Sequence, residues 1–176
     1  MGLAEKYPER YTVEHWKTWE GDWELIEGVP YAMASPRPIN QHLLVVLGVL
    51  LTDALKDCEK CKAFAELDWY ISPNTVVRPD LIVFCEDIPE RLESAPALVV
   101  EVVSPEYRQR DEGLKFELYR REGVRYYVLV YPDEKRVKIF ELVGKGYEEK
   151  KDRLFLFEGC KADIDFEEVF KGRALP

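Results

Sequence analysis

One stretch constrains this chain more than any other: Ala97 to Tyr119, ALVVEVVSPEYRQRDEGLKFELY. Its start is a run of apolar, mostly β-branched residues, the pattern of a strand buried on both faces. A single carboxylate, Glu101, interrupts the run. An ionised group in that setting costs several kcal/mol unless a cation or strong hydrogen bonds compensate it. The strand ends at Ser104-Pro105, and a charged, helix-like segment follows. There Asp111, Lys115 and Tyr119 recur at spacings of four, so all three share one helical face. An acid in a core strand followed by a lysine on the next helix is the pattern of a site. Taken alone, Lys115 on a charged helix reads as solvated, and Glu101 as the partner of an arginine such as Arg78 or Arg125.

The 176 residues are expected to form a single domain over 1–176, with 47% hydrophobic and 34% charged residues, as in a soluble globular protein. No stretch approaches the roughly 20 apolar residues that span a bilayer. The N-terminus lacks an apolar signal region, so a cytoplasmic location is expected. A net charge of −9 argues against coating nucleic acid through bulk charge, without excluding a local basic patch. Four cysteines are too few to suggest a disulfide scaffold at this length. Cys58 and Cys61 make half of a zinc pattern, but no second such pair follows.

The elements follow from period and punctuation. Residues 12–20 read as a short helix capped by Thr12, and Trp23 to Ala34 as a β-hairpin turning at Gly28. Leu43, Leu47, Leu50, Leu51, Ala54 and Leu55 recur at helical spacing, which predicts a helix over 40–56 with Asn40, Gln41 and His42 in its first turn. Residues 63–71 alternate as one half-buried strand. Residues 75–84 read as another, continuing past Pro79 at an edge or bulge. Residues 124–131 form a buried strand that turns into a partner over 136–142. One or two strands and a final helical turn complete the tail. The expectation is an α+β domain with a mainly antiparallel sheet and two main helices.

Four residues are candidates for chemistry: Glu24, Asp80, Glu101 and Lys115. If the strands carrying Asp80 and Glu101 are neighbours, their carboxylates repel unless a divalent cation lies between them. Oxygen donors of this kind suit Mg²⁺ or Mn²⁺ better than zinc. The cations between Arg108 and Arg125 are offset by acids in the same stretch and read as a solvated face.

RPDLIVF followed by LVVEVVSP resembles the core of the PD-(D/E)xK nuclease superfamily. More closely, the chain resembles the Uma-type family of restriction-endonuclease-like proteins. The matching pieces are WELIEGVPYAMASP, the helix after it, VVRPDLIVF, PALVVEVVSP, and Arg108, Asp111, Lys115 and Tyr119 in RQRDEGLKFELY, with GVRYYVLVYPDEKRVKIF closing the set. The resemblance implies an α/β/α-type, restriction-endonuclease-like core. It also implies a Mg²⁺- or Mn²⁺-dependent endonuclease acting on nucleic acid, in particular DNA. Asp80, Glu101 and the carbonyl of Val102 would be the metal ligands, and Glu24 an additional acid. In the superfamily the lysine sits two residues after the glutamate, where this chain has Val103; Lys115 on the following helix takes its place. Gln41, Asp111 and Tyr119 are accessory candidates, while His42 is read as structural or solvent-facing. Restriction-type enzymes often cut both strands as homodimers, so a homodimer is expected by analogy. The competing expectation is a non-catalytic nucleic-acid- or protein-binding module on a degenerate nuclease fold.

Overall fold

The computed structural model describes residues 1–171; the last five residues of the single domain expected over 1–176 lie outside it. In chain order the helices are α1 (Leu3–Lys6), α2 (Val13–Trp16), α3 (Pro38–Ala54) and α4 (Lys115–Arg121). The strands are β1 (Trp23–Ile26), β2 (Val29–Ala32), β3 (Lys62–Ala65), β4 (Trp69–Ser72), β5 (Thr75–Val77), β6 (Leu81–Phe84), β7 (Leu98–Val102), β8 (Tyr126–Tyr131), β9 (Arg136–Val143), β10 (Gly146–Glu149), β11 (Leu154–Phe157) and β12 (Cys160–Asp163). None of the described helices is long and apolar enough to cross a membrane. The described residues fall into two compact units.

The first unit comprises Met1–Ser35, Asp68–Arg78 and Pro89–Ser94. Its four-stranded antiparallel sheet runs β2-β1-β5-β4. Val13, Leu25 and Val76 form its core, with Tyr11, Trp16, Trp19 and Tyr70 packed around them. The β1–β2 turn places Glu27 at φ 49° and Gly28 at φ 80°. Two consecutive left-handed residues match the right-handed twist of the flanking strands, and glycine meets that requirement at the second place.

The second unit holds Pro36–Leu67, Pro79–Ile88 and the described residues from Ala95 onward. Its six-stranded sheet is ordered β10-β9-β8-β7-β6-β3. Only the central β7–β8 pair is parallel in it; the other neighbours are antiparallel. A parallel pair needs a crossover, and residues 105–121 supply it. Alternation splits the sheet into two faces. Leu81, Val83, Leu98, Val100, Tyr126 and Val128 share one apolar cluster with Leu43, Leu47 and Leu51 of α3. Phe155, Phe157, Phe166 and Val169 from the C-terminal hairpin and the 3₁₀ turn after it join that cluster. The alternate residues Glu101 and Tyr127 turn to the other face, where residues 110–121 lie. Helices thus cover the central strands on both faces, the mixed, mainly antiparallel arrangement expected.

Two stretches expected to be single strands are each divided between the units. Residues 63–71 become β3 and β4, parted at Glu66, whose φ of 50° breaks the extended chain. Residues 75–84 become β5 and β6, parted at Arg78-Pro79, where proline offers no ladder donor. The cysteines correct a further expectation: Cys58 pairs with Cys160 and Cys61 with Cys85 as disulfides. The Cys58–Cys61 spacing is therefore no half of a zinc centre. Cys61 and Cys85 stand one step beyond the Lys62–Phe84 pair of the β3–β6 ladder, so strand pairing itself brings them together.

Candidate active site

The β6–β7 register pairs Leu81 with Val100 and Ile82 with Val99; carried one residue further, it sets Asp80 opposite Glu101. Directly opposed residues of an antiparallel pair point to the same face. The last rung is closed by a side chain, because Val102 N–H donates to Asp80 Oδ2 at 2.6 Å. That bond ties the start of β6 to the end of β7 through the Asp80 carboxylate.

Glu101 is 4% exposed, and its Oε1 accepts from Lys115 Nζ at 3.1 Å and from Tyr119 Oη at 2.9 Å. Lys115 is 3% exposed and Tyr119 fully buried, so this ion pair lies inside the protein. The expectation of a solvated Lys115 fails because residues 110–121 pack their Lys115 face against the sheet. Lys115 is an ion-pair partner of Glu101. Arg78 instead binds Asp68 and Asp22 within the first unit, and those acids raise its pKa above the ordinary guanidinium value. Arg125 lies near Glu141.

A five-residue π-turn, Arg110–Leu114, precedes α4, and Lys115 N–H closes it on the Arg110 carbonyl. Such wide turns are rare and recur at functional sites. Asp111 within it is buried, and its backbone carbonyl accepts from Tyr127 Oη at 2.8 Å. The Tyr119 and Tyr127 rings meet edge to face at 5.1 Å. Burial, with the Asp111 and Glu101 charges close by, pushes the Tyr127 phenol well above its ordinary pKa, so it stays a neutral donor. The structure therefore gathers Asp80, Glu101, Val102, Asp111, Lys115 and Tyr119 in the second unit.

Glu24 belongs to the first unit, where it is 2% exposed and its Oε2 accepts Arg78 N–H at 2.8 Å. Gln41 and His42 are exposed. The residue of the α3 start that reaches the end of β7 is Asn40, which is buried and donates from Nδ2 to Ser104 Oγ at 3.0 Å. Sequence reasoning missed it, although an amide in the first turn of an otherwise apolar helix was a signal. Arg108 is partly exposed and paired with Glu112 and Glu134, and Arg120 with Glu117. Arg108 and Arg120 are thus neutralised by neighbouring acids, as the composition of the stretch suggested.

Asp80, Glu101 and the Val102 carbonyl are hard oxygen donors, which fit Mg²⁺ or Mn²⁺. Among the described residues no three His, Cys, Asp or Glu side chains gather as a metal cage. A cation held here would take two carboxylates and leave its remaining positions to water or substrate oxygens, the habit of Mg²⁺.

The comparisons with known proteins agree with this frame. The model of the Uma2 family, described as "Putative restriction endonuclease", matches residues 5–158. Among solved structures, the chain is similar to "a putative nuclease belonging to DUF820" from Anabaena variabilis ATCC 29413. The TM-score is 0.72 at 18% identity, covering 91% of this chain and 97% of that one. At that identity the likeness is one of fold alone. No curated protein matches the chain. With a family model matching residues 5–158, a span that includes Asp80, Glu101 and Lys115, the chain belongs to the Uma2 family.

Proposed function

We propose that this protein is a Mg²⁺- or Mn²⁺-dependent endonuclease that hydrolyses DNA phosphodiester bonds. The observation that carries the reading is the buried Glu101, opposite Asp80 and bound to Lys115 Nζ at 3.1 Å. Asp80, Glu101 and the Val102 carbonyl would hold the ion. When bound, such an ion supplies a Lewis acid that offsets phosphate charge and makes water a stronger acid. The chain's own groups do the rest. Lys115 and Tyr119 both donate to Glu101 Oε1 and fix its orientation, which pre-forms the acidic edge. The Lys115 ammonium is also the cation best placed to stabilise negative charge developing beside Glu101. Val103 stands where the superfamily pattern has lysine, and Lys115 reaches the same glutamate from the next helix.

A second reading has one observation in its favour. The Glu101–Lys115–Tyr119 contacts also satisfy a purely structural ion pair, which suits a non-catalytic binding module on the same fold. Plasmid nicking and Mn²⁺ calorimetry on the parent, Asp80→Asn and Lys115→Met separate the two. The nuclease reading expects parent cleavage, loss of ion binding in Asp80→Asn, and a fall in rate of about a hundredfold or more in both variants. A parent that binds no ion and cuts neither supercoiled nor single-stranded DNA would leave the binding module.

A further inference from the structure

The second unit leaves one edge of its large sheet, β3, beside an apolar helix face. Val45 and Val49 of α3 are 67% and 66% exposed, large values for valine on a helix whose other face is core. A groove runs between this helix face and β3, lined by Val45, Val49, Thr52, Ala63 and Ala65. Between the valines, a side chain at Gly48 would meet no atom within 4 Å, so another backbone can come close there. β3 is an edge strand, with a row of backbone groups turned away from its single neighbour β6.

The charges say what fits. Lys62 stands at one end of β3 and Glu66 just past the other, both exposed. If two copies pair antiparallel through this strand with the two-fold axis at Phe64, each Lys62 meets the Glu66 of the other copy. Ala63 then faces Ala65, and these small side chains let the strands approach. The flanking α3 faces, each about 25 Å long, meet across the same axis and cover Val45 and Val49. Nucleic acid is a poor occupant, because Asp53, Lys56, Lys62 and Glu66 mix signs where a phosphate track needs cations.

We propose that two copies of this chain associate through β3 and the Val45–Val49 face of α3, joining their six-stranded sheets edge to edge. The inference stands apart from the nuclease reading, since none of these residues belongs to the proposed active site. Sedimentation equilibrium across a concentration series tests it, with circular dichroism as the check on folding. The parent is expected at twice the 20.6 kDa chain mass. Val49→Asp and Lys62→Glu are each expected to raise the dimer dissociation constant about tenfold or more. Lys62→Glu combined with Glu66→Lys is expected to restore association. A parent that stays monomeric throughout overturns the proposal. So does a dimer indifferent to the single variants, or a charge swap that fails to rescue.

Discussion

Lys115 and Glu101 show how one ion pair sets both stability and chemistry. Their side chains are 4% and 5% exposed, so neither charge has much water around it. Removing one partner of a buried pair leaves the other desolvated, a loss of about 3–5 kcal/mol. Lys115→Met and Glu101→Gln are each expected to lower unfolding stability by about that amount at neutral pH. The double variant should cost far less than the two losses added, because no isolated charge is then buried. Urea unfolding of the four proteins gives the cycle; strictly additive losses would show that the two groups do not act as a pair. Tyr119 is the third member, and its hydroxyl gives Glu101 a hydrogen bond that survives in Lys115→Met.

Among the elements, turns and breaks decide more than the strands they join. Gly28 sits at φ 80°, and a Cβ there would lie 3.2 Å from the Tyr11 carbonyl oxygen and 3.1 Å from Arg10 Cδ. Its own N–H donates to the Asn74 carbonyl and its carbonyl accepts from Tyr11 N–H, so the turn ties three segments of the first unit together. Gly28→Ala is therefore expected to destabilise the protein by about 1–2 kcal/mol, combining the left-handed penalty with crowding. A denaturant midpoint unchanged within error would show that the turn yields more easily than its contacts suggest. The π-turn at Arg110–Leu114 does comparable work in the second unit, since it carries Asp111 inward immediately before Lys115.

For the molecule as a whole, the disulfides are the largest departure from what composition suggested. Cys58–Cys160 spans 102 residues and Cys61–Cys85 spans 24. The first fastens the C-terminal hairpin behind the end of α3, and the second fastens edge strand β3 to β6. On chain-entropy grounds each closure contributes about 3–5 kcal/mol. Reduction is expected to lower the urea midpoint clearly, and thiol titration of the unreduced, unfolded chain should find no free thiol. Four reactive thiols before reduction would remove both links. Disulfides persist in oxidising compartments and inside hyperthermophiles, so the pairing bears directly on the location expected from the N-terminus.

By itself, the sequence determined those features that are local in origin. The spacing of Leu43, Leu47 and Leu51 specified α3, and apolar runs containing valine specified β7 and β8 as buried strands. Glu101 was conspicuous because a carboxylate in such a run is costly, and the fourfold spacing already put Asp111, Lys115 and Tyr119 on one face. Tertiary structure alone decided which face met the sheet, and so turned Lys115 from a surface lysine into a buried partner. It also buried Asn40 against Ser104 and left Gln41 exposed, a difference set by packing. Alternation over 63–71 and 75–84 reported which residues share a face but not which strand each half would join. Pairing partners, like the cysteine links, are choices between segments far apart in the chain. Local period carries no record of them.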